Sequence, residues 1–347
     1  MISCCQLNQS NKIKSKFSFF IISLFLLSGT INAVSDPLPS WNEGATKESI
    51  INFVKEVTDE GSKNYIPPKN RIATFDEDGT LWVEQPLYAE FFFALETIKS
   101  LAPEHPELAN KEPFKSILSG DADAIKNLNE HDMEQLIGIT HSGMTLDEFH
   151  QRVNDWLKKA THPRFKKPFT DLVYQPMLEA MQLLRDNQFL IFIASGGGQE
   201  FIRVFAEQLY GTPPGHIIGT TGKVKYEYRD GHPVLIKLPE VLFVDVNGGK
   251  PEGINLIIGQ RPVIAFGNST GDQQMLEWTQ GNKGKTLELL VHHDDPVREY
   301  AYGPDSKIGT FSVALMDEAK KQNWKVISMK NDWKVIFPWE KIPTTNK

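Results

Sequence analysis

Arg71-Ile72-Ala73-Thr74-Phe75-Asp76-Glu77-Asp78-Gly79-Thr80 is the stretch on which the reading of this chain turns. An apolar run stops abruptly at two carboxylates, a glycine and a threonine. The run suits a strand covered on both faces, and in open α/β sheets ligands collect beyond the carboxyl ends of the strands. Asp76 and Asp78 are therefore expected in a cleft at the end of a buried strand. Taken alone, Asp-Gly-Thr reads equally well as a turn that merely closes a strand.

The chain has 347 residues, of which 40% are hydrophobic and 23% charged, an ordinary composition for a globular protein with one large α/β domain and a smaller module. Residues 1–33 read as a secretory signal peptide cleaved after Ala33. Lys12, Lys14 and Lys16 form its basic region, Phe17 to Leu27 its apolar region, and Ile31-Asn32-Ala33 its small-residue cleavage site. The apolar run is shorter than the roughly 18 residues that span a bilayer, so no stable membrane insertion is expected after cleavage. The destination is periplasmic or secreted. Losing those three lysines deepens a formal charge that is already −7, which speaks against nucleic acid as a partner. Cys4 and Cys5 both lie in the leader, so the mature chain has no disulfide, thiol nucleophile or cysteine metal site.

Further along, Ile50, Ile51, Phe53, Val54 and Val57 recur at helical spacing behind Thr46 as a cap. From Leu87 to about Lys167 the patterns are helical with no convincing strand, and one helix opens on the capping box Thr145-Leu146-Asp147-Glu148. Residues 81–167 are thus expected as a helical cap inserted behind the two carboxylates, with 34–80 and 168–347 forming the core. Strand-like runs then alternate with helices. Phe189 to Ala194 leads into Ser195-Gly196-Gly197-Gly198, Val241 to Val244 precedes Gly248-Gly249-Lys250, Pro262 to Phe266 leads into Gly267-Asn268-Ser269-Thr270-Gly271-Asp272, and Leu287 to Val291 ends in His292-His293-Asp294-Asp295. Asp230-Gly231 between Val224–Tyr228 and Val234–Ile236 signals a hairpin. Alternation of this kind predicts an α/β fold with a parallel sheet covered on both faces.

The polar strand ends, taken together, suit phosphoryl transfer. Asp76 can attack phosphorus as a nucleophile, and Asp78 can protonate the leaving oxygen and later take a proton from water. Paired carboxylates facing a phosphate call for a cation, and Mg²⁺ with its oxygen ligands fits; Asp272 would contribute a further carboxylate and Asn268 a neutral carbonyl oxygen. Ser195 and the N–H of Gly196 can bind phosphate oxygens, Thr80 is a further candidate for that role, and Lys250 can neutralise developing charge.

The order Asp76-x-Asp78-Gly79-Thr80, Ser195 after a strand, Lys250, then Gly267-Asn268 to Asp272 resembles the four motifs of the haloacid dehalogenase-like hydrolase superfamily. Within it, the chain is most similar to phosphoserine-phosphatase-like phosphatases with a helical cap between the first two motifs. The resemblance implies a Rossmann-like core, Mg²⁺ dependence, Asp76 as nucleophile, Asp78 as acid/base and backbone-carbonyl metal ligand, and Ser195 and Lys250 as phosphate binders. The second aspartate argues against dehalogenation, which does not need that acid. One departure stands out: the family usually has an aspartate where Asn268 stands. The lost charge should weaken Mg²⁺ binding or shift ligation toward Asp272.

Two other functions compete. Gly267-Asn268-Ser269-Thr270-Gly271 also spells the elbow of a serine hydrolase using Ser269, but the acid and histidine that should follow are crowded just behind the serine. A non-catalytic module that binds phosphorylated ligands would have no use for a nucleophile paired with an acid. The expected partner is a small phosphomonoester, because a cap excludes bulky ones. Trp82, Glu84, Gln85, His141, His150 and Arg152 are the candidate specificity residues.

Overall fold

A computed structural model describes residues 36–128 and 130–340; the expected signal segment lies outside them. In chain order the elements are α1 (Ala45–Thr58), β1 (Ile72–Phe75), α2 (Ala89–Leu101), α3 (Phe114–Ser119), α4 (Ala122–Lys126), α5 (Glu130–His141) and α6 (Leu146–Leu157). They continue with α7 (Gln175–Asp186), β2 (Leu190–Gly198), α8 (Gln199–Arg203), α9 (Ala206–Tyr210), β3 (Ile217–Arg229), β4 (His232–Phe243) and α10 (Gly249–Ile258). The last are β5 (Ile264–Gly267), α11 (Gln273–Gln280), β6 (Leu287–His292), α12 (Val313–Gln322), β7 (Lys325–Ser328) and α13 (Met329–Asp332).

All four residues of β1 are buried, as an uninterrupted apolar run requires at the centre of a sheet. The sheet has seven strands in the order β4-β3-β2-β1-β5-β6-β7, every pairing parallel except β3 with β4. From β1 the chain first adds strands on one side and then crosses to the other, so the order reverses between β1 and β5. Ligands in such folds sit at that reversal. Register makes the reversal exact enough for chemistry: Phe75 pairs with Ile193 of β2 and with Phe266 of β5, which brings Asp76, Ser195 and Gly267 to one edge. The Phe75 and Phe266 rings stack with centroids 4.4 Å apart and lock that alignment.

Two apolar layers cover the sheet. One holds Phe53, Val57, Phe75, Met177, Met181 and Ile193; the other holds Ile72, Ala194, Ile218, Ile254, Met275 and Leu315. The helices between β1 and α7 divide their allegiance. Phe91, Leu95 and Ile98 of α2 join Phe114, Ile117 and Leu136 in a cluster of their own. Phe93 of the same helix faces the opposite way, into the main core beside Phe149 and Trp156 of α6. An α2 that is apolar on both sides is a sandwiched helix. Thr145 caps α6 with the reciprocal Glu148 bond, as the capping box predicts. Thr46 does not cap α1, which starts at Ala45 behind Gly44; its hydroxyl bonds Asp332 instead.

The hairpin is longer than the sequence signals suggested. Asp230 (φ 50°) and Gly231 (φ 79°) both take the left-handed conformation that a two-residue hairpin turn needs. Val241 to Phe243, expected as a strand of the parallel core, is the far end of β4 paired with Thr221 and Gly222. Short apolar runs cannot distinguish a core strand from a hairpin arm, and here Val241, Leu242 and Val244 are exposed.

Glu288, on the same face of β6 as Leu290, has a buried carboxyl that burial pushes up to about 7. The unfolded chain releases this proton near the ordinary carboxylate value and the folded chain holds it, so stability falls as pH rises between the two. Glu288→Gln is expected to flatten that fall and to stabilise the protein above pH 7 by roughly 1–3 kcal/mol. Urea midpoints at pH 5 and pH 8 read this, and an equal pH dependence in both proteins would refute it.

Candidate active site

Asp76 follows β1 directly, and its N–H donates to Phe266 O at 2.8 Å. Its carboxylate is buried. Lys250 Nζ donates to Asp76 Oδ1 at 2.6 Å and to Ala194 O at 2.8 Å, and forms a short ion pair with Asp272 Oδ1. One ammonium thus ties the ends of β1 and β2 to the turn behind β5. Lys250 can reach them because it is the second residue of α10, behind a Gly248-Gly249 loop whose backbone crosses Val244 too closely for a Cβ at Gly249.

Burial pushes the Asp76 carboxyl up to about 7; the charge of Asp272 adds to this and Lys250 opposes it. Burial likewise raises Asp78 to about 7, although Trp82 Nε1 donates to its Oδ1 at 2.7 Å and favours the anion. Burial alone would lower Lys250, but the carboxylates of Asp272, Asp76 and Asp245 outweigh it and hold the lysine charged.

The loop carrying Asp78 is held from several sides. Gly79 has φ 77°, and a Cβ there would overlap Asn268 and Glu84. Its N–H donates to Trp82 O at 2.9 Å, and Nε2 of the buried His293 lies 2.7 Å from its carbonyl. His293 Nδ1 faces Glu299 Oε2 at 3.0 Å. The His-His-Asp-Asp strand end is therefore scaffolding: His293 braces the loop, Asp294 bonds Ser328 and Lys330, and Asp295 pairs with Arg298.

A cavity of about 520 Å³ opens over this edge. Asp76, Asp78, Ser195, Gly196, Lys250 and Asp272 all line it, so six of the expected site residues come together. Ser195 ends the regular part of β2, where a bulge between Ser195 and Gly198 turns the glycines toward the opening, and its Oγ accepts from Gly197 N at 3.1 Å. Thr80 and Asn268 stand behind the wall. The Thr80 hydroxyl is shared between Asp76 Oδ2 at 3.2 Å and Asn268 Oδ1 at 3.4 Å, so it supports the carboxylate from the protein side. Asp272 Oδ2 accepts the backbone N–H groups of Asn268 and Ser269, both at 3.0 Å, which leaves neither of its oxygens uncommitted.

Among the specificity candidates, Glu84 and His141 line the cavity. Glu84 is buried and its Oε1 accepts Asn268 Nδ2 and Tyr302 OH, both at 2.6 Å; burial pushes its carboxyl well above the usual range. A carboxylate has thus come to rest beside the position where the family carries one more acid. His141 Nε2 lies 3.1 Å from Glu90 Oε1, whose other oxygen accepts Gly198 N at 2.7 Å. Trp82 is stacked on Phe205, Gln85 is tied to Ser306 and Ile308, His150 pairs with Glu200, and Arg152 is exposed. Sequence reasoning passed over Glu90, Lys237 and the bracing role of His293. Only His293 carried a signal, as part of a polar strand end.

Ser269 is no elbow nucleophile in this geometry. Its Oγ accepts Gly271 N and donates to Asp272 Oδ2, both at 3.2 Å, closing a short turn, and among the described residues no histidine is a hydrogen-bond partner.

No curated protein matches the chain. Among solved structures, a functionally unknown protein from Anaerococcus prevotii DSM 20548 is 15% identical over 87% of this chain and 97% of that one, with a TM-score of 0.53, which shows a common fold. A protein with unknown function from Bordetella pertussis Tohama I is 17% identical over 74% and 98%, with a TM-score of 0.46. A probable phosphoserine phosphatase from Vibrio cholerae is 16% identical over 80% and 76%, with a TM-score of 0.36. These two lie too far away to add to the fold. The model of the haloacid dehalogenase-like hydrolases matches residues 73–277, a span that runs from β1 through Asp272, and the chain belongs to that family.

Proposed function

We propose that this chain is an exported, Mg²⁺-dependent phosphatase of small phosphomonoesters that works through an aspartyl-phosphate. The observation that carries the reading is the buried Asp76 carboxylate, held by Lys250 and Thr80 at the cavity floor with Asp78 beside it. Asp76 attacks phosphorus, the bond from phosphorus to the ester oxygen breaks, and Asp78 gives its proton to the departing alkoxide. A carboxyl that burial has raised to about 7 still holds that proton near neutrality. Water then attacks the phosphoryl group, Asp78 takes the water's proton, and the bond from phosphorus to Asp76 breaks to release phosphate. Ser195, the N–H of Gly196 and Lys250 hold the phosphoryl oxygens meanwhile.

Donor chemistry fits the metal. Lys250 pairs with Asp76 and Asp272, and Asp78 and Glu84 line the same cavity, an excess of buried acid that a divalent cation would relieve. Among the described residues no cluster of three or more His, Cys, Asp or Glu is arranged to hold a metal by itself, so the set would be mixed. Asp76, the Asp78 backbone carbonyl and Asn268 Oδ1 would hold Mg²⁺, with Asp272 positioning Asn268 through its backbone bonds. When bound, Mg²⁺ supplies charge neutralisation for the carboxylates and the phosphate. The basic, apolar leader supports export.

Phosphate release across a panel of phosphomonoesters is the direct test. Turnover is expected to need the metal, and Asp76→Asn is expected to lower kcat by about 1,000-fold or more. Turnover that is indifferent to chelator, or that survives in Asp76→Asn, would overturn the mechanism.

Asn268→Asp tests the metal site without turnover. It replaces the Nδ2 donor to Glu84 by a second acid, so the metal-free variant should lose roughly 1–3 kcal/mol of stability. Mg²⁺ should restore it and bind the variant more tightly than the wild type. Thermal melts that respond equally to Mg²⁺ in both proteins would count against ligation at this position.

A further inference from the structure

Lys237, on β4, is 8% exposed and lines the same cavity as Asp76. Among the described residues its ammonium has no hydrogen-bond or ion-pair partner, and Nζ lies 4.3 Å from the centroid of the Phe149 ring. The acids nearest in charge are committed elsewhere. Glu90 is held by His141 and Gly198 N, and Glu200 by His150 and Arg203. Burying a cation without a partner is unfavourable, and burial does pull the lysine below its ordinary value.

The backbone under it is fixed. Lys237 N–H donates to Met144 O and its carbonyl accepts from Gly143 N, both at 2.9 Å, so the α5–α6 connection holds the strand where the side chain must enter the cavity. A line of contacts leads from this lysine to the glycine turn of β2: Phe149, then His141 with ring centroids 4.9 Å away, then Glu90, then Gly198 N. Lys237 thus enters the cavity from the wall made by β4 and the α5–α6 connection, and none of its contacts is with Asp76, Asp78 or Lys250. Phe91, Phe149, Leu238 and Val241 give the cavity an apolar lining.

We propose that Lys237 is the specificity residue for the alcohol half of the substrate, and that the preferred substrate is a phosphomonoester whose alcohol carries a second anionic group, a carboxylate or a second phosphate, at the end of an apolar spacer. This rests on the phosphatase reading and adds what that reading leaves open. The anion supplies the partner the ammonium lacks, and the spacer fills the lined space.

The test compares phosphate esters of hydroxyalkanoic acids of graded length with their amides and with the matching bisphosphates. In the wild type the charged esters should have the higher kcat/KM, mainly through KM. In Lys237→Met the ratio of charged to neutral ester should fall roughly 10- to 100-fold, and Lys237→Arg should keep most of it. A ratio unchanged in Lys237→Met would overturn the inference, as would a wild type without preference. Preference for the carboxylate or for the bisphosphate identifies which anion is read.

Calorimetric binding of the same pairs to Asp76→Asn, alone and combined with Lys237→Met, reads recognition without turnover. If no ester turns over but the charged one binds more tightly in a Lys237-dependent way, the inference stands and the phosphatase reading falls. Equal binding of charged and neutral esters sinks the inference whatever the turnover. Unfolding midpoints of the variants show whether a loss reflects misfolding, and the arginine variant keeps the comparison available if the methionine variant is unstable.

Discussion

The ammonium of Lys250 is the point on which the site depends. It bonds a carboxylate at the end of β1, a carbonyl at the end of β2 and a carboxylate behind β5, so three neighbouring strand ends share one charge. Without it, Asp76 and Asp272 would face each other as buried like charges, and one of them would be forced to protonate. The other Asp76 oxygen is held by Thr80, so the carboxylate is fixed through both of its oxygens. Fold and reactivity therefore meet at a single side chain. The sheet order supplies the place, and the lysine makes it tolerable to put acids there.

That dependence explains the layering around the floor. Both Asp272 oxygens are bonded within the protein, one to Lys250 and the other to the backbone of Asn268 and Ser269. Asn268 reaches Glu84, Glu84 reaches Tyr302, and the Asp78 loop leans on His293. Each polar group in this chain of contacts is answered by another, whereas the buried Asp245 carboxylate near Lys250 accepts no hydrogen bond among the described residues. Buried networks of this kind are costly when incomplete and rigid when complete. On the cavity side the pattern breaks at Lys237, whose ammonium has no hydrogen-bond or ion-pair partner among the described residues.

Much of this was legible in the sequence. The run from Arg71 to Thr80 announced a central strand ending in acids, because a covered strand must be apolar throughout and its end must be polar. Ser195, Lys250 and Asp272 followed in an order that placed them on one edge. What was not legible depends on contacts distant in sequence. Glu84 resembles any acid after a turn until Asn268, many residues later, folds beside it. Thr80 looks like a phosphate contact until its hydroxyl is seen to point back at Asp76. Lys237 sits in an alternating strand where a lysine signals solvent, and only the α5–α6 connection running alongside makes it an interior residue. The 241–244 run misled because apolar composition reports burial poorly for a hairpin arm whose side chains stay exposed.

The Asp230-Gly231 turn joins two strands that leave the parallel sheet and run out along the helical insert. Floor and roof are consequently made from different kinds of structure. The floor is fixed by register at the middle of a sheet, where a shift of one residue would scramble every side chain. The roof hangs from a two-residue turn and can be lengthened, shortened or recoloured by substitution without disturbing a single bond to Asp76. A protein built this way separates inheritance of its chemistry from the choice of what the chemistry is applied to, and relatives sharing the same floor need share nothing of what they admit.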